Sequence, residues 1–179
     1  MKKHIDVFDY AGQICKALKK GILLTTKQGE QVNTMTIGWG TMGVQWGKPV
    51  FIALVRESRF TKQYLDHSGE FTVNIPMNGE AGPILAFCGT KSGRDVDKFQ
   101  TMDLHQETPE IISVPGIKEL PLTLECKVLY KQKQDVTAMP QEVVDRYYPQ
   151  CEVGTPDDDM RDLHTAYIAE IVNAYIIEP

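Results

Sequence analysis

The sequence has no apolar stretch long enough to cross a lipid bilayer. Its longest uninterrupted apolar run is Val50–Val55, whereas a membrane-spanning helix needs about 20 such residues. The amino end passes from two lysines into Asp6 and Asp9 rather than into an apolar segment, so it does not look like a secretory signal peptide. We therefore expect no membrane contact and a cytoplasmic location.

An excess of basic residues is also missing. The chain has 19 lysines and arginines against 24 aspartates and glutamates, which gives a formal net charge of -5 at pH 7. Nucleic-acid binding rests on cationic surfaces that neutralise phosphates. A dedicated DNA-binding or RNA-binding function is therefore excluded.

Cysteines are few, and they form no pattern. The four cysteines contain no C-x-x-C pair and have no nearby histidine that would complete a zinc site; they are Cys15, Cys88, Cys126 and Cys151. We expect buried, unpaired thiols in a reducing compartment. The acidic run Asp157–Asp159 is expected to be an exposed helix start or loop rather than a metal site.

The common catalytic signatures are absent as well. The chain contains no G-x-G-x-x-G, P-loop, G-x-S-x-G or H-E-x-x-H sequence. The sequence therefore gives no motif evidence for a dinucleotide-binding fold, a P-loop enzyme, a serine hydrolase or a zinc protease.

What the sequence does contain is a succession of short apolar and alternating segments. They predict strands and helices within a single domain covering residues 1–179. The predicted strands are Ile22–Thr26, Val32–Ile37, Val50–Val55, Phe71–Ile75, Leu122–Tyr130 and His164–Ile177. The predicted helices are Asp6–Lys20, with Phe8, Ala11, Cys15 and Leu18 on its buried face, and Ser58–His67, Gly79–Phe87 and Gln141–Tyr148. Strands that follow one another without regular helical crossovers indicate a mainly β, antiparallel barrel or sandwich with short peripheral helices.

Three polar, glycine-containing or arginine-containing stretches interrupt or border these strands. In residues 33–41, short side chains and glycines leave backbone amides accessible beside Trp39. That composition suits a flat heteroaromatic ligand, and the alternative is an ordinary hairpin strand with Trp39 in the core.

The other two stretches are rich in groups that bind anions. Residues 56–61 place two arginines and two hydroxyls at a helix start that Ser58 is expected to cap, which suits a phosphate dianion. Residues 88–99 form a basic loop with two glycines that could wrap a phosphate or the edge of a partner's ligand. The alternatives are a plain helix cap with solvated arginines and a mobile charged loop.

Together these stretches resemble the flavin reductase-like, FMN-binding split-barrel family, which includes the flavoredoxins. The resemblance rests on the order and spacing of segments 17–26, 33–40, 46–49, 56–61, 71–76, 88–99 and 164–172. It implies an antiparallel split β-barrel of Greek-key type, FMN as cofactor, and a homodimer with flavin sites near its interface.

The resemblance also assigns site residues. For the flavin ring it implies Asn33, Met35, Thr36, Trp39 and Thr41, and for the phosphate Arg56, Ser58, Arg59 and Thr61. At the edges of the site it implies Asn74, Pro76, Lys91, Ser92 and Arg94.

His164 is the catalytic candidate, because it matches a histidine near the nicotinamide side of the flavin in related reductases. A structural role for this histidine is the alternative. The chain reads Ala169-Glu170 where many relatives have Gly-Glu, which is a departure from the family pattern.

Three functions are compatible with this resemblance. The first is an FMN oxidoreductase that accepts hydride from NAD(P)H and passes electrons to free flavin or to a redox protein partner. The second is a non-catalytic FMN-binding electron-transfer protein reduced by a protein donor. The third is a flavin-free barrel that serves as an interaction module.

Overall fold

The structure is a computed structural model that describes residues 1–77, 81–149 and 162–178. Strands dominate this part of the chain: β1 (Lys2–His4), β2 (Ile22–Gln28), β3 (Gln31–Ile37), β4 (Gly40–Gln45), β5 (Lys48–Arg56), β6 (Glu70–Ile75), β7 (Gln106–Glu107), β8 (Gly116–Ile117), β9 (Leu122–Lys133) and β10 (His164–Ile177). The α-helices are α1 (Ala11–Leu18), α2 (Phe60–Ser68), α3 (Gly82–Thr90), α4 (Lys98–Thr101) and α5 (Gln141–Tyr147). None of these helices is long and apolar enough to span a membrane.

One large antiparallel sheet organises the molecule. Its strands follow the order β3-β2-β6-β9-β10-β5-β4, and β1 pairs with the end of β10. The first half of β10 lies against β5, from His164 opposite Arg56 to Glu170 opposite Val50, while its other side pairs with β9. The predicted mainly β, antiparallel fold is therefore confirmed.

The inner face of the sheet forms one hydrophobic core. Apolar side chains from β2, β3, β5, β6, β9 and β10 meet there, and α1 adds Ile14 and Leu18. Burying a side chain of this size contributes about 1.5–3 kcal/mol. This core therefore holds the strands of the sheet together.

The amino-terminal helix differs from its prediction. A 3-10 turn at Val7–Tyr10 precedes α1 and shifts the helical phase. Phe8 is consequently 45% exposed, and Cys15 is exposed as well. The expectation of buried thiols is confirmed for Cys88 and Cys126 and is wrong for Cys15; Cys151 and Asp157–Asp159 lie outside the described residues.

The strands at the two ends of the sheet, β3 and β4, are joined by Gly38 and Trp39, and this linker runs beside the end of β5 at a place that we call the seam. The Leu54 amide donates to the Trp39 carbonyl across this seam at 3.4 Å. A Cβ atom at Gly40 would lie 2.7 Å from the Ile52 carbonyl oxygen, so only glycine permits this close approach. Beside this contact the seam opens into a cleft.

Candidate functional site

The opening at the seam consists of two adjoining cavities, which together we call the seam cleft. The larger, about 250 Å³, is lined by Met35, Thr36, residues 58–61, residues 88–94 and Lys98, and we call it the basic half. The smaller, about 190 Å³, is lined by residues 35–39, residues 54–56, Arg59 and His164, and we call it the aromatic half. Met35, Thr36 and Arg59 line both halves.

Helices α2 and α3 flank β3, and this arrangement brings the three sequence stretches together. Thr36 Oγ1 donates to the Leu85 carbonyl of α3 at 2.6 Å, which fixes that helix beside the strand. The loop after α3 then returns across the start of α2. The predicted convergence of residues 33–41, 56–61 and 88–99 is thus present in the fold.

The charged side chains that line the basic half are all positive. Four cationic side chains line it, and none of the described residues that line it is acidic; the cations are Arg59, Lys91, Arg94 and Lys98. The structure gives the exposed Arg59 guanidinium no hydrogen bond or ion pair within residues 1–77, 81–149 and 162–178. A cavity with this donor set is suited to an anion.

The start of α2 differs by one residue from its prediction. Arg59, not Ser58, is the N-cap residue, and its φ of -65° and ψ of 129° are those of extended chain. The Ser58 amide is instead engaged by the Asp162 carboxylate at 2.6 Å. The first amides of an α-helix have no partner within the helix, and two residues of the first turn of α2, Phe60 and Thr61, line the basic half.

The loop after α3 packs closely against β3 and α2. Gly93 lies so near to Asn33 that an added Cβ would be 2.3 Å from Asn33 Oδ1 and 2.9 Å from Phe60 Cδ1. Arg94 donates from both terminal nitrogens to the Ser58 carbonyl at 3.4 Å, and its guanidinium lies 5.2 Å from the Phe60 ring centroid. The loop therefore makes specific contacts with β3 and with the start of α2.

A hydrogen bond between Asn33 and Thr61 connects two of the elements that form the cleft, β3 and α2. Asn33 Nδ2 donates to Thr61 Oγ1 at 2.7 Å, and both side chains are buried. This bond joins β3 to the first turn of α2. Thr61 lines the basic half, whereas Asn33 lines a neighbouring cavity.

Lys98, which was not predicted to belong to the site, is only 4% exposed. Its Nζ donates to the Thr34 carbonyl at 2.8 Å and to the Cys88 carbonyl at 2.9 Å, so it ties β3 to α3. Burial lowers the pKa of Lys98, Cys88 opposes this change, and the charge of Arg59 adds to it. A lysine between Asp97 and Phe99 in a charged loop gives no local signal that it points inward.

The aromatic half is built on Trp39 and His164. Their rings stack with centroids 4.8 Å apart and an interplanar angle of 30°, and Tyr147 meets Trp39 edge-on at 5.2 Å. Trp39 remains 36% exposed, so the alternative that places it in the core is wrong. The cleft therefore has an aromatic wall that a planar ligand can contact.

His164 is a buried, hydrogen-bonded imidazole. Its Nδ1 lies 2.8 Å from the oxygen of the Tyr148 hydroxyl, and that hydroxyl donates its proton to Gln134 Oε1 at 2.7 Å. Burial, with a further contribution from the charge of Arg56, lowers the pKa of His164 to about 4 although Asp162 opposes this shift. Near neutral pH the imidazole is therefore uncharged, and it has one nitrogen that donates and one that accepts.

We predict that the His164 ring titrates near pH 4, well below the ordinary value of 6.5. Since the folded protein then binds fewer protons than the unfolded chain, this group reduces stability as pH falls from about 6.5 to about 4. Proton NMR of the imidazole signals, assigned with a His164→Asn variant, measures the pKa directly. A midpoint above pH 6 would contradict the buried, neutral state.

Four residues that the resemblance assigned to the site do not line the seam cleft: Asn33, which lines a neighbouring cavity, and Asn74, Pro76 and Thr41. Asn74 is fully buried, where its Oδ1 accepts from the Ile117 amide at 2.8 Å and its Nδ2 donates to Thr72 at 3.1 Å. Pro76 lines a separate groove between α1 and α3, and Thr41 is exposed on β4 opposite Ile52. Asn74 thus anchors β8 to the sheet, because its polar atoms are used within the core.

The remaining predicted residues do line the seam cleft. They are Met35, Thr36, Trp39, Arg56, Ser58, Arg59, Thr61, Lys91, Ser92, Arg94 and His164. Arg56 Nη1 donates to the Asp162 carbonyl at 2.6 Å and thereby holds the chain next to His164. Contact of these residues with a flavin stays a prediction.

Comparison with known proteins identifies the family. Residues 19–179 match the family model described as "Flavin reductase like domain". The chain belongs to the flavin reductase-like family. The resemblance drawn from the sequence is thereby confirmed.

A relative of known sequence matches part of the chain. An uncharacterized protein of Escherichia coli (strain K12), YddH, is 30% identical over 111 residues, which cover 60% of this chain and 58% of that protein. The chain thus spans less than two thirds of that relative.

Solved structures show the same fold. A flavoredoxin of Desulfovibrio vulgaris (Miyazaki F) has a TM-score of 0.65 at 20% identity, with 88% of this chain and 69% of that chain covered. A putative flavin reductase with a split barrel domain from Shewanella frigidimarina has a TM-score of 0.65 at 16% identity, with 97% and 76% covered. The predicted split-barrel fold is confirmed.

Proposed function

We propose that the chain binds FMN in the seam cleft and acts as an oxidoreductase that accepts hydride from NAD(P)H. Electrons then pass to free flavin or to a redox protein partner. The observation that carries this proposal is the basic half, which has four cations and no acidic lining residue among those described, directly beside an aromatic half. A phosphorylated aromatic cofactor combines the two kinds of group that these halves suit.

The residues of the basic half fit a phosphate dianion. Arg59 supplies a guanidinium, and the first turn of α2 supplies amide donors and a favourable dipole. Lys98 adds a buried amine whose hydrogen-bond acceptors are two backbone carbonyls. A buried cation without a carboxylate partner is stabilised when an anion binds next to it.

The aromatic half fits a planar ring. FMN supplies hydride acceptance and the return of electrons singly or in pairs, so the protein needs no nucleophile of its own. Trp39 and the uncharged His164 imidazole line this half and would hold the ring of a bound FMN. The sequence shows no motif for a catalytic triad or an acid-base pair, which agrees with a protein that binds the cofactor while the cofactor supplies the redox chemistry.

A second candidate function is a non-catalytic FMN-binding electron carrier. It is favoured by the similarity to a protein named as a flavoredoxin. In this case a protein donor reduces the flavin and NAD(P)H does not. The homodimer that the family resemblance implies belongs to both proposals.

The visible spectrum of the purified protein, before and after anaerobic addition of NADH or NADPH, tests these functions. We expect a yellow, FMN-loaded protein that either nucleotide bleaches. A tightly bound flavin that neither nucleotide reduces, but that reduced ferredoxin does, selects the electron carrier. A colourless protein with no thermal shift on addition of FMN rejects both functions and leaves the interaction module.

We predict that Arg59→Ala weakens FMN binding with little loss of stability. The guanidinium lies in the cleft and is exposed, so its removal costs a charge-assisted contact worth about 1.5–3 kcal/mol, or roughly tenfold to a hundredfold in affinity. Fluorescence titration with FMN measures this loss. Lys133→Ala, an exposed cation on β9, is the matched control, and equal affinities of the two variants would remove the phosphate assignment.

A further inference from the structure

Two polar side chains behind the seam cleft form a hydrogen-bonded chain that ends on the His164 imidazole. Tyr148 follows α5 and is 2% exposed, and Gln134 follows β9. The Gln134 amide donates to the His164 carbonyl at 2.9 Å, which holds residue 134 beside the start of β10. Neither Gln134 nor Tyr148 is among the described residues that line the cleft. Their side-chain hydrogen bonds therefore reach the cleft only through His164.

Aromatic contacts on two sides fix the plane of the His164 ring. Trp39 stacks on one side at 4.8 Å between centroids, and Tyr148 meets the ring edge-on at 5.7 Å with an interplanar angle of 81°. Packing thus sets where the two ring nitrogens lie. Which of them carries the proton is decided by hydrogen bonding.

The hydrogen bonds place that proton on Nδ1. The Gln134 side-chain oxygen can only accept, so the Tyr148 hydroxyl gives it its one proton. Burial raises the pKa of Tyr148 although the charge of Arg56 opposes this change, and the hydroxyl therefore keeps its proton near neutral pH. The Tyr148 oxygen is then an acceptor toward Nδ1 of His164. Because the imidazole is uncharged, a proton on Nδ1 leaves Nε2 with a lone pair.

The second nitrogen of His164 is available to a ligand. The structure gives Nε2 no hydrogen bond within residues 1–77, 81–149 and 162–178, and His164 lines the aromatic half. A lone pair in the wall of a cavity is matched by a ligand group that donates a hydrogen bond. The oxidised flavin ring has one N–H group, at N3, whereas N1, N5 and the two carbonyl oxygens accept.

We propose that Gln134 and Tyr148 are positioning residues that hold the His164 proton on Nδ1, so that Nε2 accepts a hydrogen bond from flavin N3–H. The choice of ligand rests on the proposed function, since FMN supplies the N3–H group. The position of the proton is a property of the protein without a ligand. With the proton on Nε2 instead, two donors would face each other and neither would be satisfied.

Nitrogen-15 NMR of the FMN-free protein near pH 7, labelled at histidine and assigned with His164→Asn, tests the position of the proton. We expect Nδ1 of His164 to be protonated and Nε2 to be unprotonated in the wild-type protein. Gln134→Leu removes the acceptor, so the Tyr148 hydroxyl turns to donate to Nδ1 and the imidazole proton moves to Nε2. A side chain that only stabilised the fold would not move this proton.

The matched control is Gln132→Leu on β9. Gln132 is exposed and also accepts from a tyrosine hydroxyl, that of Tyr130 at 3.3 Å, so the same bond is lost away from the cleft. We expect the wild-type tautomer of His164 in this control. Tyr148→Phe is a second variant, in which Nδ1 loses its acceptor and Nε2–H becomes populated.

Fluorescence titration with FMN and with N3-methyl FMN tests the ligand contact. The methyl group replaces the N3 proton, so we expect the wild-type protein to bind N3-methyl FMN about fivefold more weakly than FMN. FMN alone is expected to shift the Nε2 signal. In Gln134→Leu we expect FMN affinity to fall about fivefold, which removes the difference between the two flavins, while Gln132→Leu keeps that difference.

Three results would each overturn the proposal. They are a proton on Nε2 in the wild-type protein, a tautomer that Gln134→Leu leaves unchanged, and equal wild-type affinities for FMN and N3-methyl FMN. Failure of the wild-type protein to bind either flavin rejects the proposed function together with the N3–H contact. The tautomer measured without FMN is decided separately from that failure.

Discussion

Replacement of Lys98 by methionine is expected to lower FMN affinity by about a hundredfold, because removing one member of a buried charge pair costs about 2–5 kcal/mol. The amine is 4% exposed and lines the basic half, so little water screens its interaction with a bound phosphate. Methionine has a similar length and apolar stem. The variant therefore removes the charge and the hydrogen bonds with little change in volume.

The same variant is expected to lose about 2 kcal/mol of stability, since the Thr34 and Cys88 carbonyls lose their donor. Urea denaturation and FMN titration separate the two effects. Lys91→Met, an exposed cation in the same half of the cleft, is the matched control, for which we expect a much smaller loss of affinity. Wild-type FMN affinity in a folded Lys98→Met protein would contradict the role of the buried amine.

Gly93→Ala is expected to destabilise the protein by about 2 kcal/mol and to weaken FMN binding, because overpacked sites cost about 1–3 kcal/mol. Its Cβ would lie 2.3 Å from Asn33 Oδ1 and 2.9 Å from Phe60 Cδ1, so the loop must move away from β3 and α2. That displacement carries Arg94 out of its position over Phe60.

The matched control for Gly93→Ala is Gly12→Ala in α1. Nothing lies within 4 Å of a Cβ at that position, so alanine is expected to keep or slightly raise stability there. A double variant with Asn33→Ala tests the stated cause, since a smaller residue 33 relieves the contact. If Gly93→Ala lowers the free energy of unfolding by the same amount with and without Asn33→Ala, the clash with Asn33 is not the reason for the loss of stability.

Much of the fold was predictable because alternation and turn residues are local signals. The strand β6 follows from apolar residues at every second position, whereas β2, β3 and β10 follow from short runs of apolar, β-branched and aromatic residues. The short strands β1 and β4 were missed, since they contain few apolar residues and exist through pairing with β10 and β5.

The candidate site was predictable where its residues belong to short motifs. Arg59, Ser92 and Arg94 line one cleft as expected, because a helix start and a polar loop show themselves in the local sequence. Lys98 lines the cleft although it was not predicted to, whereas Asn74 was predicted to line the cleft and lies in the core instead. Whether a polar side chain faces the core or a cleft depends on tertiary contacts that its sequence neighbours do not encode.

The walls of the seam cleft come from chain segments that are far apart, near residues 35–39, 54–61 and 88–98. They meet only once the curved sheet has brought its two ends together, so early collapsed forms of the chain contain no ligand pocket. A cofactor that binds there recognises the finished tertiary structure alone. It should therefore leave the refolding rate unchanged and slow the rate of unfolding.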